Sequence, residues 1–201
     1  MRVPALVLFG GLTLAACDLS TPEKDRPNPG VETPSVQAPA TPGPAPNQAL
    51  IDATPQVSLS EEQRAELREL AKRFIGQVGD DFTRGFTPVQ GVEDSVVALQ
   101  PSETHVWQIQ LQRGETYRVI GACDVECTDM DLQLLDPSGK IIERDTLPDS
   151  FPVLNVPTGA AGTYTVRFMM KTCTVAPCYA AARLYHQTGS TAEPAEDDQA
   201  A

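Results

Sequence analysis

Residues 129–145 read DMDLQLLDPSGKIIERD. Met130, Leu132 and Leu134 alternate with Asp129, Asp131 and Gln133. An apolar residue at every second place marks a strand with one face buried. The tetrapeptide DPSG at 136–139 suits a type I turn, with proline at its second position. The chain therefore reverses there, and residues 140–146 read as a returning strand.

The same period runs outward on both sides. Candidate strands are Ser95–Leu99, 105–111, 116–122, 131–135, 140–146, 153–156, 164–171 and 179–186. Within 105–111, His105, Trp107, Ile109 and Leu111 alternate with Val106, Gln108 and Gln110. Within 164–171, Tyr164, Val166, Phe168 and Met170 alternate with Thr165, Arg167 and Met169. Turn sequences fall between them: QRGE at 112–115, LPD at 147–149 and TGAAG at 158–162. Many short strands at regular spacing predict a mainly β fold, an antiparallel β-sandwich over residues 86–187.

Ahead of the sandwich the period is helical. In SLSEEQRAELRELAKRFIGQV (58–78), Leu67, Leu70, Ala71, Phe74, Ile75 and Val78 recur at three and four, so they share a face. Ser58 with Glu61, or Ser60 with Gln63, can form a capping box. Glu61 and Glu62 suit the positive end of the helix dipole. Gly79 is the expected stop, which gives one amphipathic helix over 58–79. Its apolar face either packs on the sandwich or engages a partner.

The chain begins MRVPALVLFGGLTLAAC. A basic start, a short apolar run and a small-residue exit read as a secretory signal over 1–16. The run is shorter than the ~20 apolar residues a spanning helix needs. LAAC at 14–17 resembles a bacterial lipobox, whose cysteine accepts a diacylglycerol thioether and becomes the first mature residue. The alternative is an ordinary signal peptide with a chance cysteine at 17. The position of the tetrapeptide, at the end of the apolar run, favours lipidation of Cys17. A lipid anchor tethers a chain without spanning the membrane. That places the mature protein in the bacterial cell envelope, held to the inner or outer membrane and facing the periplasm.

Residues 17–57 follow as a proline-rich linker, with nine prolines in 18–57. Such a composition cannot offset its chain entropy and is expected to stay extended. Residues 188–201, TGSTAEPAEDDQAA, read as a disordered acidic tail. The net charge is −12. A strongly acidic chain is repelled by nucleic acid and by anionic head groups, which argues against a nucleic-acid partner.

Three runs together, LQRGETYRVIGACD, DMDLQLLDPSGKIIERD and PVLNVPTGAAGTYTVRF, resemble bacterial pre-peptidase C-terminal domains. The matching positions are Gly114 and Tyr117, then Asp129, Asp131, Leu132 and Leu134, then Gly139, Asp145, Gly162 and Tyr164. The resemblance covers roughly residues 90–187 and implies a jelly-roll-like β-sandwich. It also implies a non-catalytic appendage that binds polymers or aids secretion and stability. A helix and a linker stand here where that family carries a peptidase.

With Cys17 lipidated, four cysteines are left: Cys123, Cys127, Cys173 and Cys178. Two close pairs would pass loosely as zinc spacing, but an envelope address is oxidising, which favours disulfides. Of the three connectivities four cysteines allow, the two local pairs are expected, each closing a short loop where strands turn. The acids around them are hard oxygen ligands, and Asp129, Asp131 and Asp145 form a possible calcium set, as in some relatives of the family. The plainer expectation is a solvated polar face, with no cofactor.

Catalysis has little to stand on. The two histidines, His105 and His186, each sit in a strand. No nucleophile motif, zinc-protease motif or phosphate loop occurs, so an enzyme, a hydrolase included, is not expected. The expected function is a non-catalytic envelope lipoprotein that binds an envelope polysaccharide or protein. Trp107, Tyr117 and Tyr185 are its candidate contact aromatics if exposed. The alternative is an assembly or stability factor for an envelope complex, engaged through the 58–78 helix.

Overall fold

The computed structural model describes residues 42–157 and 159–188. The signal segment, Cys17, the linker up to residue 41 and the tail from residue 189 lie outside the described residues. The elements in chain order are α1 (Gln48–Ala53), α2 (Glu61–Phe82), β1 (Phe86–Pro88), β2 (Ser95–Leu99), β3 (Thr104–Leu111) and β4 (Thr116–Cys123). There follow β5 (Cys127–Leu135), β6 (Ile141–Asp145), β7 (Val153–Pro157), β8 (Gly162–Cys173) and β9 (Cys178–Gln187). All eight strands expected from the alternation are present, with ends shifted by a few residues.

The strands form two antiparallel sheets. One has the order β1–β9–β4–β7, with β2 also on β9; the other has the order β3–β8–β5–β6. Strands β1 and β2 share one flank of β9, Phe86 facing Gln187 at its end and Leu99 facing Cys178 at its start. The period-two pattern turns apolar residues inward from both sheets: Val119, Ala182 and Leu184 from one, Leu132, Leu134, Val166 and Phe168 from the other. The opening hairpin holds: Asp136 Oδ1 accepts the Ser138 and Lys140 amides at 2.9 and 3.0 Å, and Gly139 takes φ +84°. A side-chain carboxylate closing the turn and a glycine in the left-handed region are what this reversal requires.

Strands β4 and β9 are buried on both faces, because α2 covers the outer face of their sheet. Ala71, Ile75 and Val78 of α2 pack on Ile120, Ala122, Tyr179, Ala181 and Tyr185. Fully burying Ile75 contributes about 1.5–3 kcal/mol relative to leaving it in water. Ser60 and Gln63 form the capping box. The Arg118 guanidinium of β4 donates to the Phe82 carbonyl at the far end and stacks on the Phe86 ring, 4.5 Å from its centroid. A third layer is thereby packed on the sheet and tied to it at the C-terminal end of α2.

Two expectations change here. Gly79 is not the stop: α2 runs on to Phe82. A Cβ at Gly79 would stand 1.9 Å from the Tyr185 hydroxyl, so the glycine lets the helix close on the sheet. The second change is in the stretch read as linker. Residues 48–53 form α1, with Asn47 Oδ1 capping the Ala49 amide at 3.1 Å. The segment is held to the sandwich by Asn47 N donating to Ser102 Oγ and Val57 N donating to the Ala176 carbonyl. Composition favours solvation, but these backbone bonds satisfy the chain against the domain instead.

Candidate functional site

Cys123 is bonded to Cys127, and Cys173 to Cys178. Each bond links strands of different sheets, β4 to β5 and β8 to β9, so both staple the sandwich across its layers. Cys127 and Cys173 are also register partners in the β5–β8 ladder, which sets the two loops side by side. Backbone bonds join them: Asp124 N donates to the Tyr179 carbonyl at 2.9 Å, and Thr174 N to the Glu126 carbonyl at 2.7 Å. Asp124 Oδ2 accepts the Tyr179 amide at 2.7 Å. Burial pushes the Asp124 carboxyl up, and the Glu126 charge adds to it against the backbone amides that donate to it.

The three aspartates named for calcium each take different contacts. Asp145 uses one oxygen on the Leu147 amide and the other on the Val153 amide, at 3.1 and 2.8 Å. Asp131 is buried and lies 3.6 Å from Lys171 Nζ. Burial pushes its carboxyl up, Asp129 and Asp145 add to this, and Lys171 opposes it. Asp129 Oδ1 has no hydrogen-bond partner among the described residues. One such oxygen falls well short of the six to eight a calcium ion takes. Among the described residues no three His, Cys, Asp or Glu side chains gather as a metal site.

The histidines take separate places. His105 lies 3.3 Å from Ser95 Oγ, and its ring meets Phe168 edge-on at 5.5 Å. Burial holds its pKa below the usual histidine value. His186 Nε2 lies 2.7 Å from Glu115 Oε2, beside Tyr117, at a shallow hollow of about 340 Å³. A catalytic relay needs nucleophile, base and orienting group in one chain of contacts. Here a serine contacts one histidine and a carboxylate contacts the other, and their strands lie in different sheets. Of the candidate contact aromatics, Tyr117 and Tyr185 are buried and Trp107 is packed against the core.

What the structure does bring together is an apolar edge. Val125 sits at the tip of the Cys123–Cys127 loop and is 90% exposed. Beside it runs a groove of about 310 Å³, lined by Leu67, Leu70 and Phe74 of α2 and by Asp124, Val125 and Glu126 of the loop. Leu70 is 47% exposed. Phe151 extends the patch: its ring lies 5.9 Å from that of Phe74, and the carbonyl of Ser150 receives the Cys123 amide. The helical face named from the sequence is thus divided. Ile75 and Val78 meet the sheet, Ala71, Leu67 and Phe74 belong both to that packing and to the groove, and the exposed Leu70 faces the groove. Val125 was not singled out from the sequence. The signal was there, since an apolar residue between two acids in a three-residue disulfide loop has no interior within reach.

No family model matches the chain, so the pre-peptidase C-terminal likeness goes no further than the quoted motifs. No curated protein matches either. Solved structures that match include the crystal structure of Aeromonas hydrophila PliG, a periplasmic lysozyme inhibitor of g-type lysozyme. It shares 12% identity over 49% of this chain and 91% of its own, with a TM-score of 0.35. A likeness of that size says nothing of what this chain binds.

Proposed function

We propose that this chain is a non-catalytic envelope protein, lipid-anchored at Cys17, that captures a protein partner at the α2–disulfide-loop edge. The observation that carries the reading is Val125, an almost fully exposed aliphatic side chain on a disulfide-closed loop beside an apolar groove. An exposed apolar patch with polar surroundings is a mark of interaction surfaces. A rigid loop also loses little conformational freedom when it binds. Protein is preferred to polysaccharide because the aromatic rings that would stack on sugars are largely buried. The apolar face of α2 that packs on the sheet is already used, which weakens engagement through the whole helix; its flank contributes to this edge instead. The test is capture from envelope extract on the immobilised full chain. A specific protein held by the wild type and lost by Val125→Ser and Leu70→Ser, with unchanged melting, supports the reading. Equal retention by all three overturns it.

A further inference from the structure

The charge around this edge also speaks to the chemistry of its occupant, an inference that rests on the protein-capture reading above. We infer that the edge takes a basic amphipathic segment of the partner, apolar side chains in the groove beside Val125 and lysines or arginines against the surrounding acids. The floor is aliphatic and aromatic, from Leu67, Leu70, Ala71 and Phe74. The lining holds one cation, Arg73, against Asp124 and Glu126. Asp149 Oδ1 accepts the Phe151 amide at 2.8 Å, and the Phe151 ring lies 5.9 Å from that of Phe74, so a third acid borders the patch. Within the lining the Glu126 charge acts on Asp124, adding to the larger effect of burial. Lys171 faces Asp131 and is not among the residues lining the groove.

An incoming positive charge relieves that crowding, and an incoming negative one compounds it. The whole chain adds to the preference, at −12. Anionic polysaccharide and anionic lipid surfaces are therefore repelled. A groove bordered by a helix and a rigid loop, with apolar floor and charged rim, matches the mode in which an amphipathic segment lays one face into a cleft. Complementary rim charge of this kind sets partner choice and association rate.

The test uses the full chain and two designed peptides about five helical turns long, one of leucine and lysine, the other of leucine and glutamate in the same pattern. The leucine–lysine peptide is expected to bind and the leucine–glutamate peptide to fail. Val125→Ser with Leu70→Ser should weaken binding about tenfold or more, as for loss of central anchors. Glu126→Gln with Asp149→Asn should weaken it several-fold, and raising salt from about 0.05 to about 0.3 M should do the same. Bulk attraction between an acidic protein and a cationic peptide is separated by Glu61→Gln with Glu62→Gln, which removes equal charge from the distant first turn of α2. If that pair matters as much as Glu126 and Asp149, the inference falls. It also falls if both peptides bind alike, or if an anionic polysaccharide competes as well as the lysine peptide. If the lysine peptide fails while Val125-dependent capture from extract persists, the charge inference falls and the protein-capture reading stands. Failure of both experiments removes both.

Discussion

At the scale of single residues, Gly79 is the sharpest case. Helix propensity alone favours alanine over glycine by about 1 kcal/mol. The Tyr185 hydroxyl occupies the space a Cβ would need, and overpacking costs about 1–3 kcal/mol. Gly79→Ala is therefore expected to lower the melting midpoint. At Gly76 a Cβ would meet only the Arg183 Nη1 atom, at 3.4 Å; Gly76→Ala should be neutral or stabilising in the same melt. The sequence pointed to Gly79 but mistook its task, because a glycine near a helix end looks the same whether it stops the helix or admits a neighbour. His105 offers a pH-dependent test. Its folded pKa lies below the unfolded 6.5 because of burial. The unfolded chain therefore takes up the proton first, and the contribution of this group is full above pH 6.5 and lost as pH falls below it. Chemical denaturation of wild type and His105→Gln between pH 7.5 and about 5 should show wild type losing ground on acidification; parallel curves would refute this. Calcium at millimolar concentration is expected to leave the melting midpoint unchanged, since the Asp145 oxygens are held by backbone amides.

Among the elements, α2 and the two disulfide loops decide how the edge is presented. Ile75 is fully buried between helix and sheet. Ile75→Ala should cost about 2–5 kcal/mol and, by loosening α2, weaken partner capture as well. Replacing Cys123 and Cys127 together by serine removes a short-loop crosslink, worth about 2 kcal/mol in the chain-entropy account. That variant should lose more binding than its stability change explains, because Val125 would no longer be held in place. Most elements were legible as patterns. The eight longer strands announce themselves by period two, and α2 by its capping box and three–four spacing. β1 did not: Phe86–Pro88 is three residues long and exists as a strand through its ladder with the end of β9. α1 was hidden by the prolines around it, since its hold on the sandwich comes from Ser102 and Ala176, far away in sequence.

At the scale of the fold, the three layers account for the apolar surface buried among the described residues. Sheet packs on sheet, and α2 covers the outer face of β4 and β9. Exposed apolar side chains remain at several places, and beside Val125 they line a groove. Its existence was only half legible: the loop cysteines and the α2 face are in the sequence, but their meeting depends on the order β9–β4–β7 and on the ladder that aligns Cys127 with Cys173. The plainer reading of the acids fits their contacts: Asp131 lies against Lys171, and Asp145 accepts the Leu147 and Val153 amides. If the Val125 edge faces a protein partner, that partner lies within crosslinking reach of position 125. A photoreactive amino acid placed at position 125 of the full chain, in the envelope of its host, tests it most directly, with position 142 on exposed β6 as the control. One defined protein adduct is expected from position 125 and none from position 142. No adduct from 125, or the same adduct from both positions, would contradict it.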